Sequence, residues 1–259
     1  MGLAIYSLWH REVVRFLTDR SRVFSSVGQP IIFWVLFAGA LSGSSFRPGQ
    51  LDYGEYFWVG GLVMTLLFTA IFSTITVIED RKEGFLQSVL ISPVPRSAIA
   101  LGKILGCSTL AMVNGLLFFA LFPLAGVPVT PGTFLATAGV MFILAMALTG
   151  MGYSLAWLMD STAGYHGIMM VFFMPMLLLS GAFFPIQGAH AVMKWIMNVN
   201  PLTYGVGALR HTLYPDAEGA AIAGLPSLTV CLTVSIGFAL AMFALGTMIT
   251  LRRTSRDAQ

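Results

Sequence analysis

From Ile104 to Met159 the chain carries no Asp, Glu, Lys or Arg. Such a run is longer than one crossing of a ~30 Å hydrocarbon core, which takes about 20 apolar residues. Pro123, Gly126, Pro128, Pro131 and Gly132 mark where it must turn. The run therefore predicts two spans, at about 103–123 and 133–158. Charge-free stretches elsewhere predict four more, at about 24–43, 56–78, 164–183 and 226–250. Only 10% of the residues are charged, against about 25% in a soluble domain. The expected fold class is an all-α integral membrane protein with six transmembrane helices, forming one domain over 1–259.

The polar residues left over are concentrated. Residues 3–18 place Ile5, Leu8, Trp9, Val13, Phe16 and Leu17 on one helical face, with His10, Arg11, Arg15 and Asp19 towards the other. This predicts an amphipathic interfacial helix within residues 1–22, lying at the headgroup boundary. No cleavable signal peptide is expected there, because charges run throughout and no apolar core region stands out. A second polar island, Glu79 to Lys103, lies between two spans. Glu79 to Leu90 fits one short amphipathic helix stopped by Pro93 and Pro95, and Ser97 is expected to cap the next span. Residues 185–218 are too polar to span and too apolar for an ordinary loop, which suggests short helices partly re-entrant from the far side.

Six spans put both termini on one side. Eleven of the 14 Lys and Arg residues then share that side with the island, and only Arg47, Lys194 and Arg210 lie opposite. By the positive-inside rule the termini and residues 79–103 are expected in the cytoplasm.

Several chemistries lack their residues. The span interiors hold no Asp, Glu, Lys or Arg to relay protons or sodium. Asn114 reads as a helix-to-helix hydrogen bond. His10, His166, His190 and His211 stand apart with no metal-ligand spacing. Cys107 and Cys231 both fall in apolar segments and read as small hydrophobes. Ser154 with His166 or His190 gives only a faint outline of an intramembrane protease. There is no phosphate-binding loop of the Gly-x-x-x-x-Gly-Lys-Ser/Thr kind, so any nucleotide hydrolysis belongs to another chain. A polytopic scaffold or assembly factor would share this topology and is the alternative to a transporter.

Two motifs narrow the choice. Glu79-Asp80-Arg81-Lys82-Glu83-Gly84 followed by Leu90-Ile91-Ser92-Pro93-Val94-Pro95-Arg96 resembles the cytoplasmic signature of ABC type-2 exporter permeases. Leu179-Ser180-Gly181-Ala182-Phe183-Phe184-Pro185, with Asn200-Pro201-Leu202-Thr203-Tyr204 and Ala208-Leu209-Arg210, is similar to that family's segment between its last two spans. The resemblance implies a half-transporter in the inner (cytoplasmic) membrane. Two copies, or one copy with a homologous permease, would meet around a pathway for a hydrophobic, lipid-like or glycan-type cargo. Two separate ATPase subunits, holding ATP and Mg, would bind below; this chain would itself hold no cofactor and no metal, bind no nucleic acid and catalyse nothing. Residues 79–96 become the coupling region, with Glu79, Asp80, Arg81, Lys82, Glu83, Gly84, Phe85, Leu86 and Pro93 as the ATPase-facing set. Gly181, Phe183, Phe184, Pro185, Asn200, Pro201 and Tyr204 become an extracytoplasmic gate. The family often has a small polar residue after the coupling glycine, where this chain has Phe85.

Overall fold

The computed structural model describes residues 2–18, 28, 31–36, 39, 53–91, 93–125, 129–214 and 224–256. All regular structure among them is helical. Of the expected first span, 24–43, only residues 28, 31–36 and 39 are described, all helical, and most of the connection 44–55 lies outside the described residues.

The principal helices are α1 (Gly2–Thr18), α2 (Tyr53–Lys82), α3 (Phe85–Ile91), α4 (Arg96–Phe119) and α5 (Pro131–Leu158). Next come α6 (Thr162–Leu178), then α7 (Ala191–Val199), α8 (Pro201–Leu213) and α9 (Leu228–Arg256). Four of them, α2, α4, α5 and α9, are long and apolar enough to cross a membrane. The expected count of six is therefore not reached among the described residues. The fifth expected span is the shorter α6. Its middle, Met169–Phe173, widens into a π-turn, because Pro175 lacks an N–H and crowds the preceding carbonyls. It stops at Leu178 rather than at 183. There the Asn200 amide donates to the Met176 and Leu179 carbonyls at 2.6 and 3.0 Å.

Helix α2 is the axis of the molecule. It is apolar all round and buried nearly throughout, packed between α4 and α5, as a helix without a polar face must be. Asn114 of α4 donates to Thr69 of α2 at 3.3 Å inside this layer. Helix α9 lies against α5 and α8 but leaves Val230, Ile236, Leu240, Leu245 and Met248 exposed, as suits contact with lipid.

Helix ends follow local chemistry. Thr130 caps α5 through a reciprocal capping box with Thr133, and Pro131 takes the first helical position. Ser97 does not cap α4: that helix begins at Arg96, with Pro95 in the cap position. The fixed φ of Pro95 starts the turn and its carbonyl accepts from the Ala98 N–H at 2.9 Å.

Candidate coupling site

The polar island does not form one helix. Glu79–Lys82 are the last turn of α2, Glu83 and Gly84 make a turn, and α3 starts afresh at Phe85. Gly84 has φ +78°, a conformation that residues with a side chain adopt at a cost. This break decides where each island residue points.

Asp80 ends up completely buried. Its carboxylate accepts from Arg11 at 2.7 and 2.8 Å, from Arg15 at 3.1 Å, and from the Lys103 ammonium. Lys103 is buried as well and also reaches Glu12 at 2.5 Å. Glu12 takes a further bond from the Thr76 hydroxyl at 3.0 Å. Arg15 closes the edge on Glu79 at 2.8 Å. Helices α1, α2 and α4 are thus joined by an ionic knot whose innermost members are Glu12, Asp80 and Lys103. Bonding to Asp80 raises the Arg11 pKa further above its ordinary value.

The backbone makes this approach possible. Gly102 and Gly106, one turn apart on α4, form a notch in which α1 sits. A Cβ on Gly102 would lie 2.9 Å from the Leu8 Cβ, and one on Gly106 would lie 2.7 Å from the Glu12 Cβ. Small residues at this spacing let two helix backbones approach closely. The buried stripe of α1 is accordingly Leu8, Glu12 and Phe16. Its apolar side is spent on the chain's own α4, while Leu3, Tyr6 and Val14 remain exposed. Arg11 and Arg15, placed on the polar face by periodicity, turn inward to Asp80; His10 stays exposed. Asp19 lies outside the described residues.

The remaining island residues divide between internal and surface roles. Arg81 donates to the Trp157 carbonyl at 3.1 Å and to the Met159 carbonyl, and lies 3.6 Å from Asp160. It thereby covers the open carbonyls at the C-terminus of α5. Phe85 lies under Arg11, whose Cζ is 3.7 Å from the ring centroid. Leu86 is buried in the core. Leu86 and Asp80, both in the expected ATPase-facing set, are buried within the chain: Asp80 because the last turn of α2 points it at α1 and α4, and Leu86 because α3 restarts at Phe85 after the Gly84 turn. The outward set is Lys82, Glu83, Gln87, Ser88, Pro93 and Ile91, the last 86% exposed.

At the other end of α2 the second group of expected residues assembles around a turn. Gly181 has φ +78°. Its carbonyl accepts from the Tyr56 hydroxyl at 2.8 Å and from Arg210 at 3.1 Å. Phe183 packs on Phe57 with centroids 5.0 Å apart, and Phe184 points outward. Asn200 is the joint between α7 and α8: besides holding α6, its side chain accepts from the Leu202 N–H at 3.0 Å. Pro201 opens α8, and Tyr204 donates to the Asn198 carbonyl at 2.8 Å. Pro185 is half-buried in the connection.

Glu12, Arg11, Arg15, Lys103, Tyr56 and Arg210 were missing from the expected site residues. A signal existed for Glu12: it stands four residues from both Leu8 and Phe16, a carboxylate on the buried stripe. Ser154 donates to Gly150 of its own helix at 2.8 Å, and His166 engages the Thr162 carbonyl. No nucleophile and base are brought together there. No group of residues that could hold a metal occurs among the described residues.

The family model for ABC-2 type transporters matches residues 4–214, from the ionic knot through the capped turn. The chain belongs to the ABC-2 type transporter family. Among curated relatives, the daunorubicin resistance ABC transporter permease protein DrrB1 of Streptomyces coeruleorubidus is 23% identical over 248 residues, covering 93% of this chain and 83% of its own. Nodulation protein J of Rhizobium meliloti (strain 1021) is 26% identical over 218 residues, 79% of each chain. The ycf38 protein of Cyanophora paradoxa is 26% identical over 193 residues, which covers 73% of this chain and 66% of that relative. This ABC-2 protein is a multi-pass membrane permease.

Proposed function

We propose that the chain is the membrane subunit of an ATP-driven exporter, working as a pair in the inner membrane with separate ATPase subunits bound on the α1 side. ATP and Mg act on those subunits. Closure of the ATPase pair pushes α3, and the permease pair rocks to open a pathway for a hydrophobic, lipid-like or glycan-type cargo away from the cytoplasm. Residues 185–214 act in this reading as short re-entrant helices at the outer end, since α7 and α8 have nine and 13 residues and a crossing needs about 20.

The single observation that supports this most is the continuity of contacts behind α3. Phe85 carries Arg11, Arg11 bonds Asp80, and Asp80 bonds Lys103. Two helices of membrane-spanning length therefore share one buried knot with the surface that a soluble partner would press. Interiors of this kind are close-packed and transmit displacement. The daunorubicin resistance name of one relative and the nodulation name of another describe those proteins; the cargo here is proposed only as a class.

The test uses Ile91→Asp. Fully burying an isoleucine against a partner is worth about 1.5–3 kcal/mol, so a charge there weakens capture of the ATPase about tenfold or more. Ile91 is exposed, so insertion and folding stay intact. An Ile91→Asp permease that captures the ATPase with unchanged affinity removes α3 from the interface and the reading with it.

A further inference from the structure

The turn at Gly181 is seated on the end of α2 far from the knot. Gly60 of α2 leaves the space for it: a Cβ there would lie 2.6 Å from the Ala182 carbonyl oxygen. Tyr56 donates to the Gly181 carbonyl, and Phe57 carries Phe183. The remaining contact is Arg210 of α8, buried on the Tyr56 ring. Its three bonds all leave from Nη2, and two of the three acceptors, Gly181 and Ala182, belong to the turn itself. Nε and Nη1 meet no acceptor among the described residues. The guanidinium is thus satisfied only in part, and only while the turn is in place. A buried charge whose acceptors leave must find others or reach water.

Glu55 stands one residue from Tyr56, half-buried in the first turn of α2. It makes no ion pair among the described residues. The end of α8 already lies against it. Tyr214, one turn beyond Arg210, donates to the Glu55 carbonyl at 3.2 Å, and Arg210 Nη2 is 3.4 Å from the carbonyl of Tyr56. Rotation about the long side chain of Arg210, with α8 in place, is enough to carry the guanidinium from one residue to the next.

We propose that Arg210 and Glu55 form a two-position latch. With the turn seated, Arg210 lies on Tyr56 and holds the Gly181 and Ala182 carbonyls. With the turn lifted, it swings to the Glu55 carboxylate. A guanidinium and a carboxylate can join through two parallel bonds, so the pair holds the lifted state until the returning carbonyls displace it. The latch rests on the export reading only for its place in a transport cycle, where lifting this turn opens the far end of the pathway. The pairing itself needs neither cargo nor ATPase.

The experiment therefore lifts the turn without nucleotide. Gly60→Ala pushes the Ala182 carbonyl away. Tyr56→Phe, which keeps the ring under Arg210 but removes the bond to Gly181, serves if Gly60→Ala does not fold. Glu55→Gln is placed in the native and in the unseated chain, with Arg210 kept or changed to Met, and the thermal midpoint of the full-length chain in vesicles is measured. Glu55→Gln is expected to shift the midpoint of the native chain by less than about 1 °C and to lower that of the unseated chain by about 2–4 °C, the effect of one partly buried ion pair in a chain of this size. That extra fall is expected to vanish with Arg210→Met. A change of equal size in the seated and unseated chains, zero included, or a fall that survives Arg210→Met, overturns the latch. An Ile91→Asp result that removes the export reading leaves this outcome untouched.

Discussion

The two ends of α2 bury positive charge in opposite ways. At the α1 end, Lys103, Arg11 and Arg15 are matched by Asp80, Glu12 and Glu79. At the other end the Arg210 guanidinium is fully buried with no carboxylate partner among the described residues. It lies on the Tyr56 ring at 3.7 Å and donates to the carbonyls of Tyr56, Gly181 and Ala182 at 3.1–3.4 Å. Its Nε and Nη1 find no acceptor among the described residues. A knot of formal charges is rigid only while every member is present. A lone cation on carbonyl dipoles loses less when it goes, because no opposite charge is stranded. The first arrangement suits transmission of force, the second suits holding a turn in place.

That contrast orders the expected effects of mutation. Asp80→Ala takes the main acceptor from Arg11 and leaves the buried Lys103 with Glu12 alone and Arg15 with Glu79, and removing one partner of a buried pair costs about 3–5 kcal/mol. Thermal unfolding of the purified protein is expected to show the largest fall of the series; a change no larger than that of a surface substitution would dissolve the contrast. Gly106→Ala comes next. The added methyl would lie 2.7 Å from the Glu12 Cβ, so α1 must lift from its notch. Overpacking of this kind costs about 1–3 kcal/mol, and faster proteolysis within residues 2–18 reports it. Arg210→Met removes hydrogen bonds to carbonyls but also an uncompensated charge, and a loss of about 1–2 kcal/mol is expected. A loss equal to that of Asp80→Ala would mean that Arg210 is paired as tightly as the knot. Thr130→Ala, which deletes only a helix cap, costs about 1 kcal/mol, read by the same unfolding transition.

How much of this was legible follows one physical line. Helices long and apolar enough to cross a membrane stand near the expected positions for α2, α4, α5 and α9, because about 20 apolar residues between charges have few alternatives in lipid. Burial of individual charges did not. Periodicity treats Arg11 and Arg15 as polar-face residues, whereas their long side chains reach across to Asp80 of α2. Reading Glu79–Leu90 as one helix put Leu86 on an outer surface. The positive φ at Gly84 resets the helical phase, and a period counted through a turn points residues the wrong way. The end of α6 was misplaced for another reason: Asn200 captures its last carbonyls from 21 residues away in sequence, a contact no local pattern contains. Arg210 stood in a recognised motif, but nothing in its own neighbourhood says that a guanidinium is being buried on Tyr56.

The central claim is that the knot carries the partner's motion into the spans, and one distance tests it. Spin labels at Ser227, just before the start of α9, would report the separation of two copies in the ATPase-bound complex, with and without trapped nucleotide. Glu12→Gln keeps the shape of the side chain but removes one of the two charges that hold Lys103, the other being Asp80. The account predicts that the Glu12→Gln complex still assembles and hydrolyses ATP, while the nucleotide-dependent change in distance seen for the unaltered chain is largely lost. A Glu12→Gln complex that shows the full change in distance would contradict it.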